Sequence, residues 1–235
     1  MQQYSYLTIL IMSVLVPLAY SFHPKMKLIR WWKTILLSIT ITAIPFIIWD
    51  FIFTKFGIWS FNPSYHVSFK LLYLPIEEWL FFWAIPYASI FTHYALRFYT
   101  PNFKLTSTAT KIIGMILLII ALSLAVIYYQ RWYTFVNFSL FSMVLGYGLF
   151  SKQTYLQSFF PSFIIVLIPF LAVNGILTGS FNFDAIVLYD NSQNLGFRIF
   201  NIPMEDFVYA FSLLFSSILL IEYFNPIEKQ LTNDN

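Results

Sequence analysis

The chain has 235 residues, is 59% hydrophobic and only 10% charged, a composition too apolar for a soluble domain of this length. The net charge of +3 does not suggest nucleic-acid binding. The lack of cysteine excludes disulfides, iron–sulfur clusters and thiolate metal sites.

Runs of about 20 apolar residues can each cross a bilayer core as a helix. Seven are predicted, over residues 4–22, 33–54, 73–96, 111–129, 132–150, 158–178 and 202–223. The apolar residues run continuously and do not alternate with polar ones, which argues against a β-barrel. The fold class is therefore an all-α polytopic membrane protein with no soluble domain. The first span has no basic residue before it and no small-residue cleavage site after it, so it does not read as a removable signal peptide. Lys25, Lys27, Arg30, Lys33, Arg97, Lys104, Lys111, Lys152 and Lys229 fall on one side of the spans; Lys55, Lys70, Arg131 and Arg198 fall on the other. The positive-inside rule then predicts an outer N-terminus and a cytoplasmic C-terminus.

Span two ends in Trp49-Asp50. A loop with Ser60-Phe61-Asn62 follows, and then the third span opens on FKLLYLPIEEW at 69–79. Span six ends near Asn174, is followed by Ser180-Phe181-Asn182, and leads to FRIFNIPMEDF at 197–207. Phe69/Phe197, Pro75/Pro203 and Glu77/Glu205 are identical, and Lys70/Arg198, Leu74/Ile202, Glu78/Asp206 and Trp79/Phe207 are physically equivalent. The chain reads as two parallel three-helix repeats, 1–104 and 132–235, joined by a linking helix within 105–131. A pseudo-two-fold axis along the membrane normal would place a site at their interface. Both acidic pairs then fall near the outer face. The loops at 55–72 and 179–201 carry many aromatics, among them Phe56, Trp59, Phe61, Tyr65, Phe69, Phe181, Phe183, Tyr189, Phe197 and Phe200. These rings form an interfacial belt or fold back toward the core.

A single Pro-x-Glu-Glu is an ordinary helix start, with proline in the first turn and acids at the positive end of the dipole. Two copies at matching places in an apolar chain point to function. A buried carboxylic acid that keeps its proton is a competent general acid, and an ionised neighbour or the other pair is a competent base. Adjacent helical residues point about 100° apart, so one acid of each pair faces a cavity and the other supports it. The two identical acids, Glu77 and Glu205, are the expected centre, with Glu78 and Asp206 as partners. Asp50, Asn174, Thr178, Trp79 and Phe207 are candidates for substrate contact or support; Asp50 also reads as a helix-end residue reaching the headgroups. Lys70 and Arg198 pair with the acids or snorkel to phosphates. His23, His66 and His93 are too scattered for a metal site, so no metal is expected.

Absences narrow the chemistry. There is no Gly-x-Gly-x-x-Gly for a flavin or nicotinamide. No aspartate-rich helix face is present to bind a magnesium–diphosphate, and span seven has no lysine for a retinal Schiff base. No cofactor is expected. Paired acids, many aromatics and a membrane interior suit proton-driven chemistry on an apolar molecule, with aromatic faces stabilising a carbocation. A proton-coupled small-solute transporter with a three-plus-one-plus-three helix repeat is the alternative.

The two motifs Pro75-Ile76-Glu77-Glu78 and Pro203-Met204-Glu205-Asp206, with Trp49-Asp50 and the Asn174–Gly179 segment, resemble those of the membrane lycopene cyclases of the heterodimeric or fused type. The resemblance covers essentially the whole chain. It implies a cofactor-independent, redox-neutral cyclisation of an acyclic carotenoid ψ-end to a β-ionone ring. Lycopene and γ-carotene are the implied substrates, and membrane lipid the implied surroundings.

Overall fold

A computed structural model describes residues 2–180 and 184–233. Phe181, Asn182 and Phe183, with the second Ser-Phe-Asn loop built from them, lie outside the described residues. Eight helices follow one another: α1 (Ser5–Ser21), α2 (Trp32–Lys55), α3 (Ile76–Tyr99), α4 (Ser107–Ile127), α5 (Trp132–Ser151), α6 (Gln153–Leu177), α7 (Met204–Phe224) and the short α8 (Ile227–Asn233). Six of them are long and apolar enough to cross a membrane among the described residues. The seventh predicted span, α3, has 24 residues but is not among those six. It carries Glu77, Glu78, His93 and Arg97, all buried inside the bundle, where lipid does not meet them.

The helices α3 and α7 form the centre. α1 packs on α3 and α5 packs on α7, while α2 lies against both central helices. α6 packs on α3 and meets α7 through rings, such as Phe159 and Phe163 on Phe211, with a space left beside them. The linking helix α4 lies against α5 and α6. Glycines set two of these approaches. A Cβ on Gly114 would come within 2.4 Å of Leu149 Cδ2, and one on Gly148 within 2.6 Å of Phe215 Cε1 and 2.8 Å of Leu156 Cδ1. Small residues of this kind let membrane helices touch. Gly148→Ala is expected to destabilise the fold by about 2 kcal/mol, overpacking of about 3 offset by about 1 of helix propensity. Thermal unfolding in detergent measures it; an unchanged midpoint would show that the contact yields.

Each acidic helix is preceded by a two-residue-turn hairpin. β2 (Lys70–Leu71) pairs with β3 (Leu74–Pro75), and β5 (Arg198–Ile199) with β6 (Ile202–Pro203). The turn residues Leu72, Tyr73, Phe200 and Asn201 all have positive φ, from 48° to 66°. That is the type I′ signature, here mostly without the usual Gly or Asn. The same strained turn, built twice, aims both Pro-x-acid-acid helices inward.

The halves also share a ribbon. β1 (Trp59–Phe61) pairs antiparallel with β4 (Val187–Tyr189) in the register Trp59↔Tyr189, Ser60↔Leu188, Phe61↔Val187. Residues 128 apart exchange partners across it: Asn62 N donates to Ile186 O at 2.8 Å, and Asp190 N donates to Ile58 O at 2.9 Å. A two-fold relation of this kind passes between Ser60 and Leu188. The same spacing relates the loops that follow. Ser64 N donates to Asn62 Oδ1 and Ser192 N to Asp190 Oδ1; Tyr6 N donates to Tyr65 O and Tyr133 N to Gln193 O. The hydrogen-bonding counterpart of Asn62 is thus Asp190.

Candidate active site

The helix starts at Pro75 and Pro203 place two consecutive acids in each first turn, and all four are buried. Their side chains separate as the helical 100° step requires. Glu77 Oε1 accepts from Val67 N at 2.7 Å, and Glu205 Oε1 accepts from Leu195 N at 2.7 Å and from Thr134 Oγ1 at 2.6 Å. These identical acids clasp the loop of their own half to its helix. Glu78 and Asp206 turn the other way, onto one cavity of about 290 Å³.

That cavity runs between α1, α3, α6 and α7. Its wall on α3 extends from Glu78 to Thr92, and on α6 from Phe163 to Leu177. Fourteen residues of helix span about 21 Å, so the space is a long sleeve with its acids at one end. Pro17, Pro86 and Pro169 lie along it. Each removes one helical hydrogen bond, as is tolerated where a membrane helix lines a cavity. Ser13, Ser89, Thr92, Phe163 and Phe170 are only half-buried, so the sleeve opens sideways between α1, α3 and α6.

The acid end is closed by the shared ribbon. Trp59, Phe61, Val187 and Tyr189 all face the cavity, and the rings are fixed by one another. Tyr133 stacks on Tyr189 at 5.7 Å and meets Trp59 edge-on at 5.2 Å; Trp49 lies 5.0 Å from Tyr209. By contrast Phe56, Phe69, Phe197 and Phe200 are exposed, as an interfacial belt requires. The two expectations for the loop aromatics both apply, to different rings.

Hydrogen bonds orient the cavity acids. The Tyr6 hydroxyl donates to Glu78 Oε2 and the Tyr133 hydroxyl to Asp206 Oδ1. Asn174 Nδ2 and the Tyr189 hydroxyl both reach Asp206 Oδ2, at 2.8 and 2.9 Å. Burial, and then the nearby Asp206 charge, push the Tyr189 phenol well above its ordinary value, so it remains a donor. Asp50 lines the same cavity from α2, accepting from Trp59 Nε1 at 2.6 Å and Thr54 Oγ1 at 3.2 Å. It is 2% exposed, so it is not reaching for headgroups.

The other residues singled out stand further off. Thr178 is buried and bonds back to Asn174 O at 2.8 Å, stiffening the end of α6. The Trp79 indole N–H donates to Leu71 O at 3.1 Å and braces its hairpin. Phe207 meets Phe170, a cavity-wall ring, at 5.1 Å. Arg198 bonds Asn201 O and Asn191 Oδ1 at 2.7 and 2.6 Å, holding the hairpin turn rather than an acid. Tyr6, Tyr133 and Tyr209 escape a reading of the sequence, since tyrosines in apolar runs carry no motif, and Tyr189 is legible only as one of the loop aromatics. The spacing of 127 between Tyr6 and Tyr133, beside the 128 of the acids, is the signal that could have found two of them. Among the described residues no group of three metal-ligating side chains is present.

The arrangement puts two buried carboxyl groups, one from each half, at the head of an apolar, aromatic-walled sleeve. A family model described as "Lycopene cyclase" matches residues 3–96 and 130–224. No curated protein and no solved structure matches. The family segments hold one acidic pair each and leave out the linking helix, so a carotenoid substrate and a membrane setting follow from the match. The chain belongs to the lycopene cyclase family.

Proposed function

We propose that the protein is a lycopene β-cyclase, converting ψ-ends of lycopene and then γ-carotene to β-ionone rings as an intramolecular, redox-neutral isomerisation. The observation that carries this reading is the convergence of Glu78 and Asp206, one from each half, on the head of a single apolar sleeve. An acid there protonates the terminal double bond of the polyene. The tertiary cation is attacked by the next trisubstituted double bond, which closes a six-membered ring. A base then takes the ring proton beside the new cation, and the double bond forms there. One proton enters and one leaves, with no electron transferred.

The walls suit each stage. Tyr133, Tyr189, Tyr209 and Trp59 offer π faces to a passing cation, a stabilisation that grows in a desolvated site. The ribbon keeps outer water from capturing the cation. In this reading the repeats are residues 1–104 and 132–235, the link lies within 105–131, and the acids stand at the outer membrane face with the C-terminus cytoplasmic.

Co-expression with a lycopene-producing pathway, followed by pigment chromatography, tests the reading. Cyclised carotenoid with a β-ring is the expected product. Unchanged lycopene, with the protein shown to be in the membrane, would count against it, and a ring with a displaced double bond would correct the ring type.

A further inference from the structure

The two acids are built on one plan, each served by a tyrosine, and differ in their other partners. Tyr6 and Tyr133 serve Glu78 and Asp206 from equivalent places at the heads of α1 and α5. Asp206 then has two more neutral donors, Asn174 and Tyr189. Three donors on two oxygens are the surroundings of an ionised carboxylate, which can only accept. The Arg198 guanidinium, 5.6 Å over the Tyr189 ring, adds positive charge on the same side.

On Glu78 the place of Asn174 is taken by Asp50, near the same end of α2. Asp50 and Glu78 line the head of the same cavity together, and a charge on Asp50 bears on Glu78. Trp59 and Thr54 occupy Oδ1 of Asp50, and its Oδ2 has no donor among the described protein groups. Two buried carboxylates side by side repel, and a shared proton removes the conflict. Glu77 and Glu205 add negative charge behind Glu78 and Asp206 respectively, so they do not distinguish the two.

We infer that the halves divide the chemistry: the Glu78–Asp50 pair carries the proton delivered to the polyene, and Asp206 is the carboxylate that takes the ring proton. The inference rests on the cyclase reading for its substrate. Glu78 loses its proton to the alkene carbon and becomes a carboxylate; Asp206 gains one from the ring and becomes an acid. Both acids and Tyr189 line the one cavity, and a proton returned across it from Asp206 to Glu78 restores both. Asp50 and Asn174 act as positioning residues, setting which acid starts the cycle protonated.

Infrared spectroscopy of the purified protein tests this without substrate. The carbonyl stretch of a protonated carboxylic acid, identified by its shift in D2O, is expected in the wild type. It should lose intensity in Glu78→Gln and in Asp50→Asn, and keep it in Asp206→Asn. The products give the second readout. Asp206→Asn should still close rings but release the cation wrongly, as hydrated rings or displaced double bonds, with the normal ring falling about 100-fold. An intensity unchanged in both Glu78→Gln and Asp50→Asn, or lost in Asp206→Asn, overturns the division. So does misplaced ring chemistry from Glu78→Gln. A wild type that shows the band yet leaves lycopene untouched fails the cyclase reading instead.

Discussion

Glu78→Gln should abolish ring formation, by at least about 100-fold, while the protein accumulates in the membrane as the wild type does. General acid catalysis is worth roughly 10²–10⁴-fold, and Asp50, the other member of the pair, is held at Oδ1 by Trp59 and Thr54. Glutamine keeps the size of the side chain and an oxygen for the Tyr6 hydroxyl to reach, so packing is spared and the transferable proton is lost. Glu77→Gln is the companion variant. It keeps an oxygen for Val67 N and touches no cavity atom, so ring formation per folded molecule should stay within a few-fold of wild type. Pigment chromatography normalised to membrane protein decides between them. Full activity in Glu78→Gln, or its loss in Glu77→Gln at normal protein level, would reverse the assignment.

The second large effect falls on stability. Glu205→Ala should lower the stability of the fold by about 4 kcal/mol. It strips partners from Leu195 N and Thr134 Oγ1, and each buried donor left unsatisfied costs about 1–3 kcal/mol. The loop holding β5 (Arg198–Ile199) and β6 (Ile202–Pro203) then loses its tie to α7. Thr134→Val, which frees no backbone group, should cost only about 1 kcal/mol. Denaturation in detergent measures both, and activity per folded molecule should survive in both. Loss of turnover in Glu205→Ala with an unchanged unfolding midpoint would show that this acid works in the chemistry and not as a clasp.

These two expectations depart from what the repeat alone favours. Identity between halves points to Glu77 and Glu205 as the working pair. But identity is also what a clasp demands, since Val67 N and Leu195 N ask the same thing of the same oxygen at the same 2.7 Å. Glu78 and Asp206 are free to differ because their surroundings differ. The spans were legible because hydrocarbon imposes length and apolarity together; their boundaries drifted by a few residues, α6 beginning at Gln153 rather than 158 and α3 running Ile76–Tyr99 rather than 73–96. The hairpins were not legible. Leu72-Tyr73 and Phe200-Asn201 lack the glycine that announces a type I′ turn, because the loop's hydrogen bonds to its helix hold the backbone there instead of local preference. The tripeptide Ser-Phe-Asn occurs at both 60–62 and 180–182, which drew the loops into a pairing eight residues away from the one that the ribbon makes between Asn62 and Asp190.

The ribbon has a further consequence, for descent. An assembly of two identical halves, each offering one strand across a two-fold axis, would seal the same cap and would place the same acid on both sides of it. Such a dimer must carry aspartate at both α2-like ends or at neither, so donor and acceptor could not be written separately. Once both halves are encoded in one chain, a single change at the position now held by Asp50 and Asn174 can fall on one side only. Making the two positions alike, by Asp50→Asn or by Asn174→Asp, is a way to ask what a symmetric pair of halves can do.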